Sequence, residues 1–243
     1  MSIEPWRIER FAEIDSTNTW LCAQAREGAP EGLVAVTNFQ SAGRGRRDRT
    51  WSAPPGSALL TSFLLRPDLE SLEEAQLAVA AVALSVRDAL VARGVEPRVK
   101  WPNDLLLGER KLSGVLAELV LDGGQPAVVV GVGVNLSAAP EGAACVADAG
   151  VQLSADELLD ATIAHLEPRR VLLHSAAGRV ELRRQYGEAL DTIGRQVRVE
   201  RDHDVITGVA VGVDETGRLM VDSGDAVVSV AVGDVVHLRA QES

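Results

Sequence analysis

Apolar positions change their spacing several times along the chain, and each change marks an element. Arg7–Ile14 and Leu33–Phe39 read as strands, joined by a helix that starts at a Ser16 or Asn18 N-cap and runs to about Arg26. Ser57–Leu65 is apolar almost throughout, as expected for a strand covered on both faces. Ser71-Leu72-Glu73-Glu74 fits a capping box and predicts a long Ala- and Val-rich helix to about Arg93. That helix is apolar on most sides, so it should be buried against a sheet. Pro97–Trp101, Lys111–Leu121 and Ala127–Asn135 are three further strand candidates. A second capping box, Ser154-Ala155-Asp156-Glu157, opens helical sequence to about Leu190, with a break expected near Pro168. Two stretches, Gln40–Pro55 and Ser137–Gln152, have no apolar period and read as loops.

Beyond Ile193 the period becomes two. Val197/Val199, then Val205 to Val213 at every second position, then Leu219/Val221 and Val228/Val230/Val232 are separated by Asp-Glu-Thr-Gly and Asp-Ser-Gly-Asp turns. Short strands at this spacing predict a small β-barrel. The expected organisation is an α/β (α+β) unit over residues 1–192, with a mixed sheet and flanking helices, followed by a barrel over 193–243.

Composition narrows the function. The formal net charge of −11 argues against a general binder of nucleic acid or acidic membrane. Cys22 and Cys145 stand in no CxxC or His-paired pattern and read as small buried side chains in a reducing compartment. The N-terminus has no apolar signal core, and the longest uncharged apolar run, Ala75 to Val86, is too short to span a bilayer. A cytoplasmic protein is expected.

Charge becomes informative when basic residue types are separated. Of the 24 basic residues only Lys100 and Lys111 are lysines, and they bracket Trp101-Pro102-Asn103-Asp104. An ammonium is a compact point charge and a guanidinium a rigid planar fork, so a position that keeps Lys points to one small cation in a tight space. A second concentration lies in Gly43–Trp51, with four Arg in nine positions. Its glycines let backbone approach a ligand, its Arg forks suit carboxylate or phosphate, and Trp51 can stack on a purine. Read alone, the segment fits a solvated basic loop or an RNA-binding patch equally well. It is neither a P-loop nor a Rossmann fingerprint. Gly131-Val132-Gly133-Val134-Asn135 ends a strand with two glycines and an amide suited to reading an adenine edge.

The chain resembles the biotin protein ligases. The likeness rests on Ser16-Thr17-Asn18 after a strand, Gly43-Arg44-Gly45-Arg46-Arg47 with Trp51, Lys100-Trp101-Pro102-Asn103-Asp104, Lys111-Leu112-Ser113-Gly114 and Gly131–Asn135, in that order. The resemblance implies a two-step reaction. Biotin and MgATP give biotinoyl-5′-AMP and pyrophosphate, and a lysine of a biotin carboxyl carrier domain of acetyl-CoA or related carboxylases then attacks the anhydride. It implies a catalytic domain akin to lipoate ligases and an SH3-like C-terminal domain. By motif, Ser16, Thr17, Asn18, Gln40, Gly43 and Arg44 would contact biotin, and Arg46 and Lys111 its carboxylate and the α-phosphate. Gly114 and Gly133 would line the pocket by backbone. Trp51 and Asn135 would hold adenine, with Arg47, Lys100 and Asn103 also on the ATP side. Lys111, Arg46 and Asp104 would be catalytic, Asp104 orienting the incoming amine or taking its proton. The chain departs from the pattern at Asp48, where many relatives have Gly. The first motif begins too close to the N-terminus for a winged-helix domain, so no DNA partner is expected, and no protein metal site; the state expected is a monomer or weak homodimer.

Biotin's carboxylate is ionised at neutral pH, so the first step needs no enzyme nucleophile, in keeping with the lack of a Ser-His-Asp or Cys-His set. His165, His174, His203 and His237 read as structural. Residues 43–51 and 137–152 are expected to be lids over the adenylate. The competing readings are a lipoate or octanoate ligase on the same fold and a non-enzymatic RNA-binding module.

Overall fold

The structure, a computed structural model, describes residues 5–47, 49–121, 125–201, 204–231 and 233–238. Strand β1 (Arg7–Phe11) leads into helix α1 (Thr17–Arg26), whose N-cap Ser16 accepts from the Thr19 amide, and α1 crosses to β2 (Leu33–Thr37), parallel to β1. All eight residues of β3 (Ala58–Leu65) are buried. The Ser71 capping box does not form: a 3-10 turn, Leu72–Ala75, precedes α2 (Gln76–Val91). The Glu74 carboxylate is drawn elsewhere, accepting from the Glu70 amide at 2.8 Å and pairing with Arg179 at 3.1 Å.

Strands β4 (Arg98–Lys100), β5 (Asp104–Leu107), β6 (Arg110–Val120) and β7 (Ala127–Asn135) complete a seven-stranded sheet in the order β1-β2-β3-β7-β6-β5-β4. Strand β5 has no period of its own in the sequence, because it is only four residues long; it pairs with β4 on one side and β6 on the other. The loop over 137–152 contains a 3-10 turn, Val146–Ala149. Helix α3 (Ala155–Leu172) opens on the expected Ser154–Glu157 capping box, and α4 (Ala176–Ala189) is capped by Ser175. The break near Pro168 is not seen. Leu158, Leu159, Leu166 and Leu173 are all fully buried and hold the helix on both sides of the proline. The chain turns instead after Leu172, where a Cβ on Gly178 would fall 2.3 Å from the Leu172 carbonyl.

Strand periodicity assigns the two faces of the sheet. Val128, Val130, Val132 and Val134 of β7 join one core with α2, α3 and α4, whereas Ala127 and Val129 join a second core under α1. The next residues on that second face, Gly131, Gly133 and Asn135, extend past α1. Their register partners Ser62, Leu60 and Ala58 on β3, and Leu116 and Gly114 on β6, lie on the same face. The sheet is therefore closed by helices on one side and only half closed on the other.

The C-terminal strands β8 (Gln196–Glu200), β9 (Val205–Val213), β10 (Leu219–Asp222), β11 (Val227–Val230) and β12 (Asp234–His237) form an antiparallel sheet ordered β11-β10-β9-β8-β12. Val232 lies outside the described residues, and β12 was not separated from β11 by the sequence pattern. The alternating valines locate β9, but Val205 and Val211 face out while Ala210 is buried.

This sheet docks on the Trp101–Pro102 segment, whose peptide bond is cis. Trp101 is buried, donates its amide N–H to the Thr192 hydroxyl oxygen (3.0 Å), and donates its indole N–H to the Gly217 carbonyl (3.0 Å). The buried Tyr186 hydroxyl donates to the Pro102 carbonyl at 2.7 Å, and burial, then the Asp104 charge, raises its pKa. Tyr186→Phe leaves that carbonyl only the longer bond from Gln76 Nε2 at 3.3 Å and should cost about 0.5–1.5 kcal/mol, read as a lower urea midpoint at unchanged slope. Among the described residues no helix is long and apolar enough to cross a membrane.

Candidate active site

The open half of the sheet face forms a cavity of about 260 Å³. Thirteen of the sixteen residues expected at the site line it: Ser16, Thr17, Asn18, Gln40, Arg44, Arg46, Trp51, Asn103, Asp104, Lys111, Gly114, Gly133 and Asn135. Gly43, Arg47 and Lys100 do not. Gly43 closes the loop behind the cavity, its carbonyl accepting from the Trp51 amide at 3.0 Å, and a Cβ there would lie 2.3 Å from the Trp51 carbonyl oxygen. Arg47, at φ +52°, directs Nη2 toward the Glu200 carbonyl of β8 at 3.4 Å. Lys100 lies outside the lining, and its charge acts on His237; burial first and Lys100 second hold the His237 pKa down to about 4. His237 packs beside Thr192 and His174 beside Glu31, structural positions in both cases. Asp48 and His203 lie outside the described residues.

Lys111 reaches the cavity because β6 is irregular. Leu105 pairs with Ser113 but Leu106 with Lys111, so Leu112 is an extra residue that re-aims its neighbour. Without the bulge Lys111 would point to the opposite face. Its Nζ stands 2.6 Å from Asp104 Oδ1 and 5.9 Å from the centroid of the Trp51 ring. Asp104 is opposite Gly114 in register, which puts its carboxylate on the cavity face. Asn103 is fixed by its amide's donation to the Val115 carbonyl (2.6 Å) and accepts from Arg46 Nη1 (3.2 Å).

Trp51 lies across the paired glycines of the sheet. A Cβ on Gly133 would fall 2.3 Å from its ring, and one on Gly114 3.3 Å from it. Its indole N–H and Asn135 Oδ1 are both buried without a hydrogen-bond partner, one donor and one acceptor aimed at the same hollow. Asn135 Nδ2 donates to the Ala144 carbonyl at 3.0 Å. The bidentate adenine contact expected of Asn135 is thus replaced by a single acceptor, its oxygen.

At the other end the lining is polar, with the charge of Arg44 answered by Glu118. Gln40 Oε1 accepts from the Thr17 amide at 2.9 Å, Ser62 Oγ lies 2.7 Å from Thr17 Oγ1, and a Cβ on Gly131 would overlap Asn18 Oδ1. Arg44 Nη1 meets Glu118 Oε1 at 2.7 Å. The residues assigned from sequence leave out Arg49 and Gly131, which lie in the two flagged segments and line the cavity, and Ser62 and Glu118 behind it. Gly131 was findable, being two residues before Gly133 on a strand; Ser62 and Glu118 emerge only from the register of three strands. The cavity can therefore take an elongated ligand with a polar head, an anionic middle and a flat ring.

Residues 11–135 match the model of the biotin/lipoate A/B protein ligase family, and residues 192–238 match that of the biotin protein ligase C terminal domain. The chain is 37% identical over 253 residues to the biotin–[acetyl-CoA-carboxylase] ligase of Mycobacterium tuberculosis, covering 96% of this chain and 90% of that protein. It is 33% identical over 245 residues to the bifunctional ligase/repressor BirA of Escherichia coli, covering 94% of this chain and 73% of that protein. Among solved structures, the biotin protein ligase of Aquifex aeolicus in complex with biotin and ATP superimposes with a TM-score of 0.79 at 27% identity, covering 96% of this chain and 99% of that one.

Proposed function

We infer from a chain that belongs to the biotin/lipoate A/B protein ligase family that its cavity joins biotin to ATP. The protein is a biotin protein ligase: it activates biotin with MgATP to biotinoyl-5′-AMP and transfers the biotinyl group to a lysine of a carboxylase carrier. The observation that carries the residue assignments is the order of chemistries along one cavity, from polar lining through Arg46 and Lys111 to Trp51 and Asn135.

The polar end suits a ureido ring, which offers both N–H and C=O. A lipoyl or octanoyl chain would want an apolar slot where Thr17, Asn18 and Gln40 stand. The middle answers the main obstacle of the first step, the approach of a carboxylate to a phosphate. One like-charge pair at ~4 Å and an effective dielectric near 20 repels by about 4 kcal/mol. Arg46 and Lys111 beside the reacting oxygens offset that repulsion and stabilise the charge that builds in the transition state. The magnesium ion arrives with the triphosphate. Trp51 offers a stacking face and Asn135 Oδ1 an acceptor for an exocyclic amine.

For the second step Asp104 is the one carboxylate among the described residues that line the cavity. In the resting site it neutralises Lys111 at 2.6 Å; when Lys111 turns to the acyl phosphate, Asp104 is released to orient the carrier amine. The finer assignments follow the sequence reading: a catalytic unit over 1–192, an SH3-like unit over 193–243, and a monomer or weak homodimer without DNA. The net charge of −11 supports the last point. The test is pyrophosphate release from MgATP with no carrier present. Biotin should elicit it and lipoate should not; release with lipoate alone would move the assignment to the other branch of the family.

A further inference from the structure

The two loops expected to close over the adenylate are held in different ways. Residues 143–148 are stitched to the ends of β6 and β7. The Ala144 amide donates to the Lys111 carbonyl at 2.8 Å and the Ala147 amide to the Leu136 carbonyl at 2.9 Å. Arg110, the residue before Lys111, grips the segment at two points. Its Nη1 donates to the Ala143 carbonyl at 3.1 Å, and its Nη2 meets Asp148 Oδ2 at 2.9 Å. The Cys145 amide donates to that same carboxylate oxygen at 3.2 Å. Val146 is fully buried in the core that holds α2 and β7, so the segment cannot lift without exposing it.

Residues 44–50 rest on side chains instead. Among the described residues, the hairpin's backbone hydrogen bonds close on itself, from Gly45 to Arg49 and from Trp51 to Gly43, and no residue from 44 to 50 is buried. Arg44, Arg46 and Arg47 reach Glu118, Asn103 and the Glu200 carbonyl. Long, partly exposed side chains hold a segment less firmly than buried amides and a core valine do. The stitched segment also reaches the site. The Ala144 carbonyl takes the Asn135 amide at 3.0 Å, which leaves Asn135 Oδ1 facing the cavity, while Ala143 lines it directly. Every one of these ties is made by protein groups alone.

We propose that Arg110 is a positioning residue for the nucleotide: with Asp148 it clasps residues 143–148 into a fixed wall, so the adenine end of the cavity is built before biotin binds and ATP binds the free protein. The inference rests on the reading of the cavity as a biotin and ATP site and deepens it, giving the part of a lid to the hairpin alone. Neither Arg110 nor Asp148 lines the cavity, so their effect on the nucleotide passes through Ala143, Ala144 and Asn135. The backbone stitches and Val146 remain when Arg110 is replaced. Its loss therefore loosens the wall and does not unfold it.

The test titrates the full chain calorimetrically with the magnesium complex of α,β-methylene-ATP, which cannot be cleaved to an adenylate, with and without saturating biotin. The analogue should bind without biotin, and its affinity should stay within about tenfold of that measured with biotin. Binding that needs biotin, or that is weaker than this without it, overturns the proposal. No binding under either condition overturns the reading of the cavity as well. Arg110→Gln should weaken the analogue about 3- to 10-fold, the scale of one partly exposed clasp, and leave the affinity for biotin unchanged. An equal loss for both ligands, or no loss for the analogue, removes Arg110 from this role. Hydrogen exchange on the ligand-free chain separates wall from lid. The Ala144 and Ala147 amides should exchange as slowly as those of β6 and β7, and the amides of residues 44–50 far faster. Equal exchange rates in the two loops would leave no fixed wall and sink the idea.

Discussion

Lys111→Arg should lower biotin-dependent ATP–pyrophosphate exchange by about 10²- to 10³-fold at saturating substrates, the scale of losing one aimed transition-state donor. Charge is conserved in this substitution, so the loss comes from shape. Nζ is confined between Asp104 Oδ1 at 2.6 Å and the Trp51 ring, over backbone whose Gly114 leaves just enough room. A Cβ on Gly114 would already come within 3.1 Å of the lysine Cε and Nζ. A guanidinium is broader and planar, and Asp104 would engage its fork in a bidentate pair rather than release it to the substrate. The lysine side chain is 43% exposed, so the fold should tolerate the change. Exchange kinetics beside a thermal melt decide the matter. Exchange near the wild-type rate with an unchanged melt would show that any cation serves at this position.

Gly133→Ala should act through a different residue. The added Cβ would lie 2.3 Å from the Trp51 ring, far inside any real contact, and the strand cannot give way. Gly133 is paired with Leu60 on one side and Gly114 on the other, at the centre of the sheet. Trp51 must leave its seat. Overpacking of this kind costs about 1–3 kcal/mol when the structure absorbs it, equivalent to roughly 5- to 150-fold in binding when the ligand site bears it. The KM for ATP should rise by that factor and more than the KM for biotin. The fluorescence difference from a Trp51→Phe variant should shift toward that of a solvent-exposed indole. An unshifted spectrum with an unchanged KM for ATP would remove Trp51 from the adenine site.

These two positions also show what the sequence could reveal. Lys111 and the Gly131–Asn135 segment were legible because lysine is scarce in this chain and glycine is costly in a strand, so each must be held there by something. The direction of Lys111 was not legible: it depends on one extra residue in β6, and nothing in Lys111-Leu112-Ser113 marks a bulge. Lys100 drew the same inference from the same scarcity and lies outside the cavity, near His237. Rarity flagged the segment but not the side chain. The helices were found by caps and periodicity, except where a tertiary partner outcompeted a local one, as Arg179 did for Glu74. Glu118 reads as an ordinary surface acid in an amphipathic strand. Its contact with Asn18, a hundred residues earlier in the chain, depends on the pairing that brings β6 beside β7.

The docking of the second sheet on Trp101 has a consequence for any attempt to shorten this protein. The indole hydrogen ends on the Gly217 carbonyl, and Thr192 holds the amide of the same tryptophan. Three residues further on stands Asp104. Severing the chain at 193 would strip a large aromatic of its cover and deprive its donor of that acceptor, leaving an uncovered apolar patch beside the turn that aims the carboxylate. A truncated enzyme would lose its active-site geometry along with its tail: the C-terminal module is the wall against which the reactive end of the molecule is braced.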